Sequence, residues 1–173
     1  MAETEPTEPT EEIVETQIKD LDPRFVKQLE SAERSIDKNP GYTIDICATI
    51  LAKYPSCVDV RKIMRQAQFK KYGKGNPVAK LSGDVQGMVL SMKAPSKGQA
   101  LEVMAQAEHL LSQCPQNASA LKALASAAES LSYWGTAASA YMAIAQFQPK
   151  NEKNLLALAN AYVKNKQPDE AAP

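Results

Sequence analysis

The chain has 173 residues, of which 44% are hydrophobic and 6% aromatic, and its 20 basic residues balance its 20 acidic residues. This length suffices for one domain, whose core the composition predicts to be built from Ala and Leu rather than from stacked rings. A net charge of zero gives no indication of a nucleic-acid or anionic-membrane partner. No run approaches the roughly 18 consecutive apolar residues of a membrane span, and no secretory or transit segment is recognisable, so we expect a cytoplasmic protein.

The first 20 residues are rich in Glu, Thr and Pro, and we predict a disordered acidic leader over residues 1–20. Its few apolar side chains bury too little surface to offset the entropy lost on ordering. A solubilising tail is the simplest interpretation. Two alternatives stay open, namely an arm that binds a partner and a segment that folds back onto the basic residues described below.

Residues 21–72 predict three divergent repeat-like helices. The first begins at Pro23 with Asp22 as its cap, and Pro40 is expected to end it. The second runs over about 42–53 and ends before the next proline. The third is expected to face inward through four apolar residues at helical spacing, Val60, Ile63, Met64 and Ala67.

Residues 73–98 predict a basic, glycine-containing loop followed by a weak helix near 84–93. The apolar residues of this segment keep a helical period, but Gly83 and Gly87 each weaken it by about 1 kcal/mol relative to Ala. Pro95 is expected to end the helix.

Residues 99–173 predict a strongly helical region of repeats, the last of which is incomplete. A tight turn at Trp134 and Gly135 is expected to separate its second and third helices. The expected helices cover 99–112, 118–133, 136–146 and 152–165, and one more begins at Pro168.

Identical residues recur in this region at a separation of 34 positions, as from Pro115 to Pro149 (149 − 115), and we call this separation the repeat period. Nine pairs of identical residues have this separation: Pro115 and Pro149, Asn117 and Asn151, Leu121 and Leu155, Ala123 and Ala157, Leu124 and Leu158, Ala125 and Ala159, Ala127 and Ala161, Ala137 and Ala171, and Ala138 and Ala172. Such agreement is hard to obtain by chance, even in an Ala-rich chain.

On these residues the chain resembles the tetratricopeptide repeat family, whose unit is a 34-residue helix–turn–helix with the same period. Six of eight pattern positions fit in the unit that begins at Ala118: Leu121, Leu124, Ala125, Ala137, Tyr141 and Pro149. Ala128 and Ile144 depart, standing where the family has an aromatic and a small residue. The unit that begins at Glu152 fits with Leu155, Leu158, Ala159, Tyr162 and Ala171. The resemblance is specific over 118–173, and it implies an all-α fold of antiparallel helix–turn–helix repeats stacked as a right-handed α-solenoid.

The resemblance also implies a function, which is to bind a protein or peptide in the concave groove of the array as a scaffold or adaptor. The positions that line this groove in the family are occupied here by Ser119, Lys122, Ser126, Glu129, Ser130, Lys153, Leu156, Asn160, Val163 and Lys164. Some members clamp a peptide carboxylate with a lysine and two asparagines. Only Lys122 of that set is present, and Ser126 and Ala157 stand at the other two positions, so this clamp is not expected.

A basic run offers a second hypothesis. No acidic residue lies between Asp59 and Asp84, and two aromatic residues, Phe69 and Tyr72, are interleaved. The candidates for an anion or nucleic-acid site are Arg61, Lys62, Arg65, Lys70, Lys71, Lys74 and Lys80. A solvated helix face and loop is the favoured interpretation, and a nucleic-acid partner is not expected.

Residues for catalysis are scarce. The one histidine, His109, lies in an amphipathic helix without the positioned partners that a mechanism requires, and no phosphate loop or metal motif is present. We therefore expect no enzyme activity, no cofactor and no metal. A third hypothesis is a self-assembling structural protein, a homo-oligomer that forms through the open C-terminal helix.

Overall fold

The computed structural model describes residues 14–73, 85–92 and 95–165, and the regular structure within these ranges is entirely helical. A short 3-10 helix, Ile18–Asp20, precedes α1 (Pro23–Arg34), α2 (Pro40–Lys53) and α3 (Val58–Tyr72). Residues 85–91 form the short helix α4, inside the weak helix that the sequence predicted. The helices α5 (Lys97–Leu111), α6 (Ala118–Ser130), α7 (Trp134–Phe147) and α8 (Glu152–Lys164) follow. The prediction of an all-α fold is confirmed for the described residues.

The 3-10 helix and α1–α3 build one hydrophobic cluster, and we call these elements the N-terminal group. The four residues that the sequence predicted to face inward from α3 are all buried. Thr43 is fully buried in α2 and donates its hydroxyl to the carbonyl of Ala32 at 2.7 Å, so this polar group is satisfied inside the core. The rings of Phe25 and Tyr54 meet edge to face, with centroids 6.0 Å apart.

Helices α5–α8 build a second cluster, against which Leu90 of α4 packs, and we call α4–α8 the C-terminal group. Alanines make up more than half of its buried residues, and their small side chains let neighbouring helices approach closely. Asn117 and Asn151, one repeat period apart, cap α6 and α8 in the same way. Their side chains accept the N–H groups of Ala120 at 2.9 Å and of Asn154 at 3.1 Å, respectively.

Three helix junctions share one backbone geometry. The residue before the proline donates its N–H to the carbonyl four residues earlier at 2.8 Å, from Tyr54 to Ile50, Cys114 to Leu110 and Gln148 to Ile144. An N–H three residues later donates back at 3.1 Å, from Cys57 to Tyr54, Asn117 to Cys114 and Asn151 to Gln148. Proline explains the break, because it disfavours helical geometry at the preceding residue. The pairs α2–α3, α5–α6 and α7–α8 are thus joined alike.

Two helices begin earlier than the sequence predicted. Pro40 was expected to end α1, but it is the first residue of α2, and Asn39 caps the helix by accepting the N–H of Tyr42 at 3.2 Å. Proline suits this position because its missing N–H would have no partner there. Trp134 and Gly135 were expected to form a turn and instead open α7. The reversal lies just before them, at Ser132, whose φ is 59°.

The boundary of the leader at residue 20 also needs correction. Residues 14–20 are described, and Ile18–Asp20 forms the first helical turn of the N-terminal group. The hydrogen bonds of Glu15 and Thr16, given below, tie this stretch to both groups. Residues 1–13, Lys74, Lys80 and the helix predicted to begin at Pro168 lie outside the described residues.

Candidate binding surface

The ten groove positions implied by the resemblance lie on α6 and α8, and none of them is buried. The side chains on α6 are half-buried except for the exposed Lys122, whereas all five on α8 are exposed. Leu156, Asn160 and Val163 follow one another at intervals of four and three residues, so they share one face of α8. Leu156 is 66% exposed and Val163 is 58% exposed, which leaves two large apolar side chains in contact with solvent.

Two charged groove residues are held by α7. The hydroxyl of Tyr141 donates to Oε1 of Glu129 at 3.1 Å. Burial raises the pKa of this phenol and the nearby Glu129 raises it further, so the hydroxyl stays protonated and able to donate. The Nζ atom of Lys164 lies 4.3 Å from the ring centroid of Trp134, which is a cation–π distance. Because Trp134 begins α7 and Lys164 ends α8, this contact also shows that the two helices run antiparallel.

A third set of exposed side chains, near α4, was not predicted from the sequence. Shifting three groove positions of α6 back by one repeat period, from Ser119, Lys122 and Ser126, gives Val85, Met88 and Met92. These lie within residues 85–92, which comprise α4 and the residue after it and which we call the α4 segment. All three are exposed, between 62% and 74%, and so is the adjacent Val89. The signal was present in the sequence, since the same period continues backward. The glycines of this segment weaken its helical pattern, so the repeat period is less evident there than in α6 and α8.

Arg61, one of the candidates for binding an external anion, is buried between the two groups. Its Nε lies 2.6 Å from Oε1 of Glu108, with the two side chains 6% and 13% exposed. Its Nη1 donates to the carbonyl of Pro55 at 3.1 Å and to the hydroxyl of Thr136 at 3.4 Å. The guanidinium therefore joins α3 to α5 and α7. This corrects its placement on a solvated face, because a charge so buried requires a partner within the protein.

Arg65 and Gln68 continue the same face of α3, four and seven residues beyond Arg61. One guanidinium nitrogen of Arg65, Nη2, donates to the carbonyl of Pro115, and Nε2 of Gln68 donates to the hydroxyl of Ser112 at 3.2 Å. Burial lowers the pKa of Arg65 to about 10, against the opposing effect of Glu108, so the group remains charged at neutral pH. We call the contacts of Arg61, Arg65 and Gln68 with the C-terminal group the polar seam. Helix α3 thus has an apolar face toward its own group and a polar face toward the other.

The remaining described lysines of the basic run are exposed at the surface. The Nζ of Lys70 lies 2.6 Å from Oδ1 of Asp37, and a hydrogen bond from this lysine lowers the pKa of that carboxyl. Lys62 lies 3.4 Å from Oδ1 of Asp59, and Lys71 lies 5.0 Å from the ring centroid of Tyr72. Each lysine therefore has an anionic or aromatic neighbour within the chain, while Arg61 and Arg65 point elsewhere. The described part of the run does not converge on one site.

Glu15 makes a contact that no feature of the sequence predicted. Its Oε2 accepts the N–H of Gly135 at 2.6 Å, and its Oε1 accepts the N–H of Thr136 at 2.8 Å and the hydroxyl of Thr136 at 2.6 Å. The N-cap of α7, Tyr133, makes no side-chain cap hydrogen bond. A carboxylate that is distant in sequence therefore satisfies the first turn of α7, at the helix end where negative charge is favoured.

The one histidine of the chain, His109, is exposed on α5, and its Nε2 lies 3.3 Å from Nε2 of Gln113. Among the described residues, no three His, Cys, Asp or Glu side chains lie together so as to hold a metal ion. None of the helices in the described ranges combines the length and hydropathy needed to cross a bilayer.

Comparison of the chain with models of protein families, with curated proteins and with solved structures finds no match in any of the three. Over the described residues, the geometry defines an all-helical, repeat-like arrangement in which two groups of helices meet along a polar seam.

Proposed function

We propose that this protein is a scaffold that binds a peptide or a segment of another protein along the exposed faces of α4, α6 and α8. The repeat period and the resemblance to the tetratricopeptide repeat support this proposal, because such arrays line a groove with the first helix of each unit. The repeated caps at Asn117 and Asn151 support it too, since they start α6 and α8 in the same way. No chemistry of the scaffold itself is needed.

The observation that carries the proposal is the exposure of apolar side chains at the groove positions. Leu156 and Val163 on α8, and Val85, Met88 and Met92 on the α4 segment, are all more than half exposed. Burying one such side chain stabilises a protein or complex by about 1.5–3 kcal/mol, and apolar side chains gathered among polar ones mark interaction surfaces. Methionine adapts to ligands of different shape, which suits a binding surface.

The pattern of polarity indicates the kind of ligand. The α4 segment is apolar at its groove positions, α6 presents Ser119, Lys122 and Ser126, and α8 presents Leu156 and Val163 among three polar groove residues. A fitting ligand carries apolar side chains opposite the α4 segment, polar or acidic groups opposite Lys122 of α6, and both kinds opposite α8. A helix or an extended peptide can both provide this order of side chains.

The test is a selection of displayed peptides against the purified full-length chain, followed by affinity measurements on the enriched peptides. We expect enriched sequences to bind the wild-type chain and to lose at least tenfold in affinity against Leu156→Asp and Met88→Asp. A charge at either position places an unpaired carboxylate where an apolar group must be buried.

Leu101→Asp is the matched control. Leu101 is also an exposed apolar residue, 48% exposed, but it lies on α5 outside the proposed groove. Affinity should be unchanged in this variant. Peptides that bind the two groove variants as tightly as the wild type would reject the proposed surface.

Self-assembly is the alternative that one observation favours. Leu155 and Leu156 on α8 are both exposed, 40% and 66%, and a second copy of the chain could cover them. Anion binding through residues 61–80 is less well supported, because Arg61 and Arg65 belong to the polar seam.

A further inference from the structure

Two adjacent residues ahead of α1 connect the two helical groups. Glu15 binds the start of α7 in the C-terminal group through three hydrogen bonds of 2.6–2.8 Å. Thr16 binds Ser56, at the α2–α3 junction of the N-terminal group, through its N–H at 3.1 Å and its hydroxyl at 2.9 Å. Consecutive residues of one short segment therefore hold opposite sides of the boundary between the groups.

The absence of a side chain at Gly135 leaves room for this carboxylate at the start of α7. A Cβ atom at position 135 would collide with Oε2 of Glu15 and would lie 3.3 Å from Cγ2 of Val58, so the close approach depends on glycine. Thr136 is fully buried, and its hydroxyl oxygen also accepts from Arg61 at 3.4 Å. The carboxylate thus binds two backbone N–H groups and one hydroxyl, with a buried guanidinium close by.

Polar contacts also cross the boundary that this segment bridges. The hydrophobic cluster of the N-terminal group and that of the C-terminal group are separate. Between them run the contacts of the polar seam, from α3 to α5, to the α5–α6 junction and to Thr136. Water can satisfy these polar groups once the two surfaces separate, so their separation costs less than that of two apolar surfaces of the same size.

We propose that Glu15 and Thr16 form a clasp that holds the N-terminal and C-terminal groups together. With Glu15 in place, the two groups are one body. When the carboxylate leaves, the polar seam hydrates and the groups move relative to each other. This role is independent of the proposed peptide groove, which lies on α4, α6 and α8.

The first test is the sign of a Gly135→Ala substitution in two backgrounds. Within a helix, Ala is more favourable than Gly, so in a Glu15→Ala background the change should raise the thermal midpoint. In the wild-type background the new methyl group displaces Glu15, and the midpoint should fall. Glu30→Gln serves as a control, because Glu30 is an exposed carboxylate on α1. A midpoint raised by Gly135→Ala in both backgrounds overturns the proposal.

The second test separates a clasp from a simple helix cap. Spin labels at Lys27→Cys on α1 and Gln146→Cys on α7, both exposed positions, report the distance between the groups. The native cysteines are buried and should label slowly. We expect one narrow distance distribution for the otherwise wild-type chain and for Glu30→Gln, and a broadened one for Glu15→Ala and Gly135→Ala.

Amide exchange at residues 135 and 136 completes the test, because their N–H groups donate to Glu15. Exchange should rise at least tenfold in Glu15→Ala, while circular dichroism confirms that the helices persist. A rise in exchange with an unchanged narrow distance distribution would show that Glu15 only caps α7, and the clasp would be rejected.

Discussion

The Nε atom of Arg61 lies 2.6 Å from Oε1 of Glu108, and this one ion pair joins residues 47 positions apart in the sequence. The pair crosses from α3 to α5, and both side chains are almost completely shielded from water. Its geometry makes Glu108 the counter-charge of a guanidinium that is almost completely removed from bulk solvent. Loss of either partner alone should therefore leave the other charge buried without a counter-charge.

Removing one partner should be far more harmful than removing both. Glu108→Ala leaves the guanidinium buried without its counter-charge, and we expect it to lower the free energy of unfolding by about 3–5 kcal/mol in urea titrations. The double variant Arg61→Met, Glu108→Leu should recover much of that loss. The exposed pair of Lys62 and Asp59 is the control, and Asp59→Ala should change stability by less than about 1 kcal/mol. Equal effects for Glu108→Ala and Asp59→Ala would contradict this expectation.

Two glycines in helices should respond oppositely to alanine. At Gly87, which is buried, a Cβ atom would lie 2.7 Å from Oδ1 of Asn117 and 3.1 Å from the backbone nitrogen of Ala120, so Gly87→Ala should push α4 away from α6. At Gly98, in the first turn of α5, nothing lies within 4 Å, and Gly98→Ala should stabilise by up to about 1 kcal/mol. Urea titrations and amide exchange over 85–91 measure both effects. Stabilisation by Gly87→Ala would mean that α4 does not pack closely on α6.

The thiol of Cys47 should be inert in the folded protein. Burial raises its pKa from 9.0 to about 12, with smaller contributions from Glu108 and Glu33. Only the thiolate reacts, so alkylation at pH 8, followed by mass spectrometry, should be at least a hundredfold slower in the native chain than in urea. Since the folded pKa is the raised one, its contribution to stability is intact below pH 9 and is lost as the pH rises toward 12. Native alkylation as fast as that in urea would contradict the burial.

Light scattering behind size exclusion, over a range of concentrations and at low and high salt, separates the proposed scaffold from self-assembly. The scaffold proposal expects a monomer throughout, with exposed α8 available to a ligand. A dimer that dissociates in Leu156→Asp but not in Leu101→Asp would favour the second copy as the occupant of α8. The groove would then need to be redefined around that interface.

The helices could largely be predicted from the sequence because their signals are local. Apolar residues at helical spacing marked α1 and α3, and the pairs Pro115 with Asn117 and Pro149 with Asn151 marked where α6 and α8 begin. The beginning of α2 was misjudged because a proline ends one helix and starts another with equal ease. Only the position of Asn39 as a cap distinguishes the two cases.

The polar seam could not be predicted because its signals are not local. Spacing showed that Arg61, Arg65 and Gln68 share one face of α3, and a polar face is usually solvated. What covers it is the C-terminal group, whose contacts with Arg61 and Gln68 come from 47 and 44 positions further along the chain. Glu15 was missed for a related reason. Composition indicates only how much apolar surface a segment can bury. Residues 15 and 16 are held instead by hydrogen bonds to residues far away in the sequence, which composition does not reveal.

The shared junction geometry has a consequence for how such a chain can grow. Residues 118–151 begin immediately after one capping asparagine and end with the next, so the two ends of this stretch present the same hydrogen-bonded turn. If residues 118–151 were duplicated in tandem, the two copies would be joined by the same hydrogen-bonded turn that the chain already makes before α6 and before α8. Lengthening the chain by whole units therefore requires no new kind of connection. The exposed surface of the type formed by α6 and α8 would then increase in proportion to the number of units.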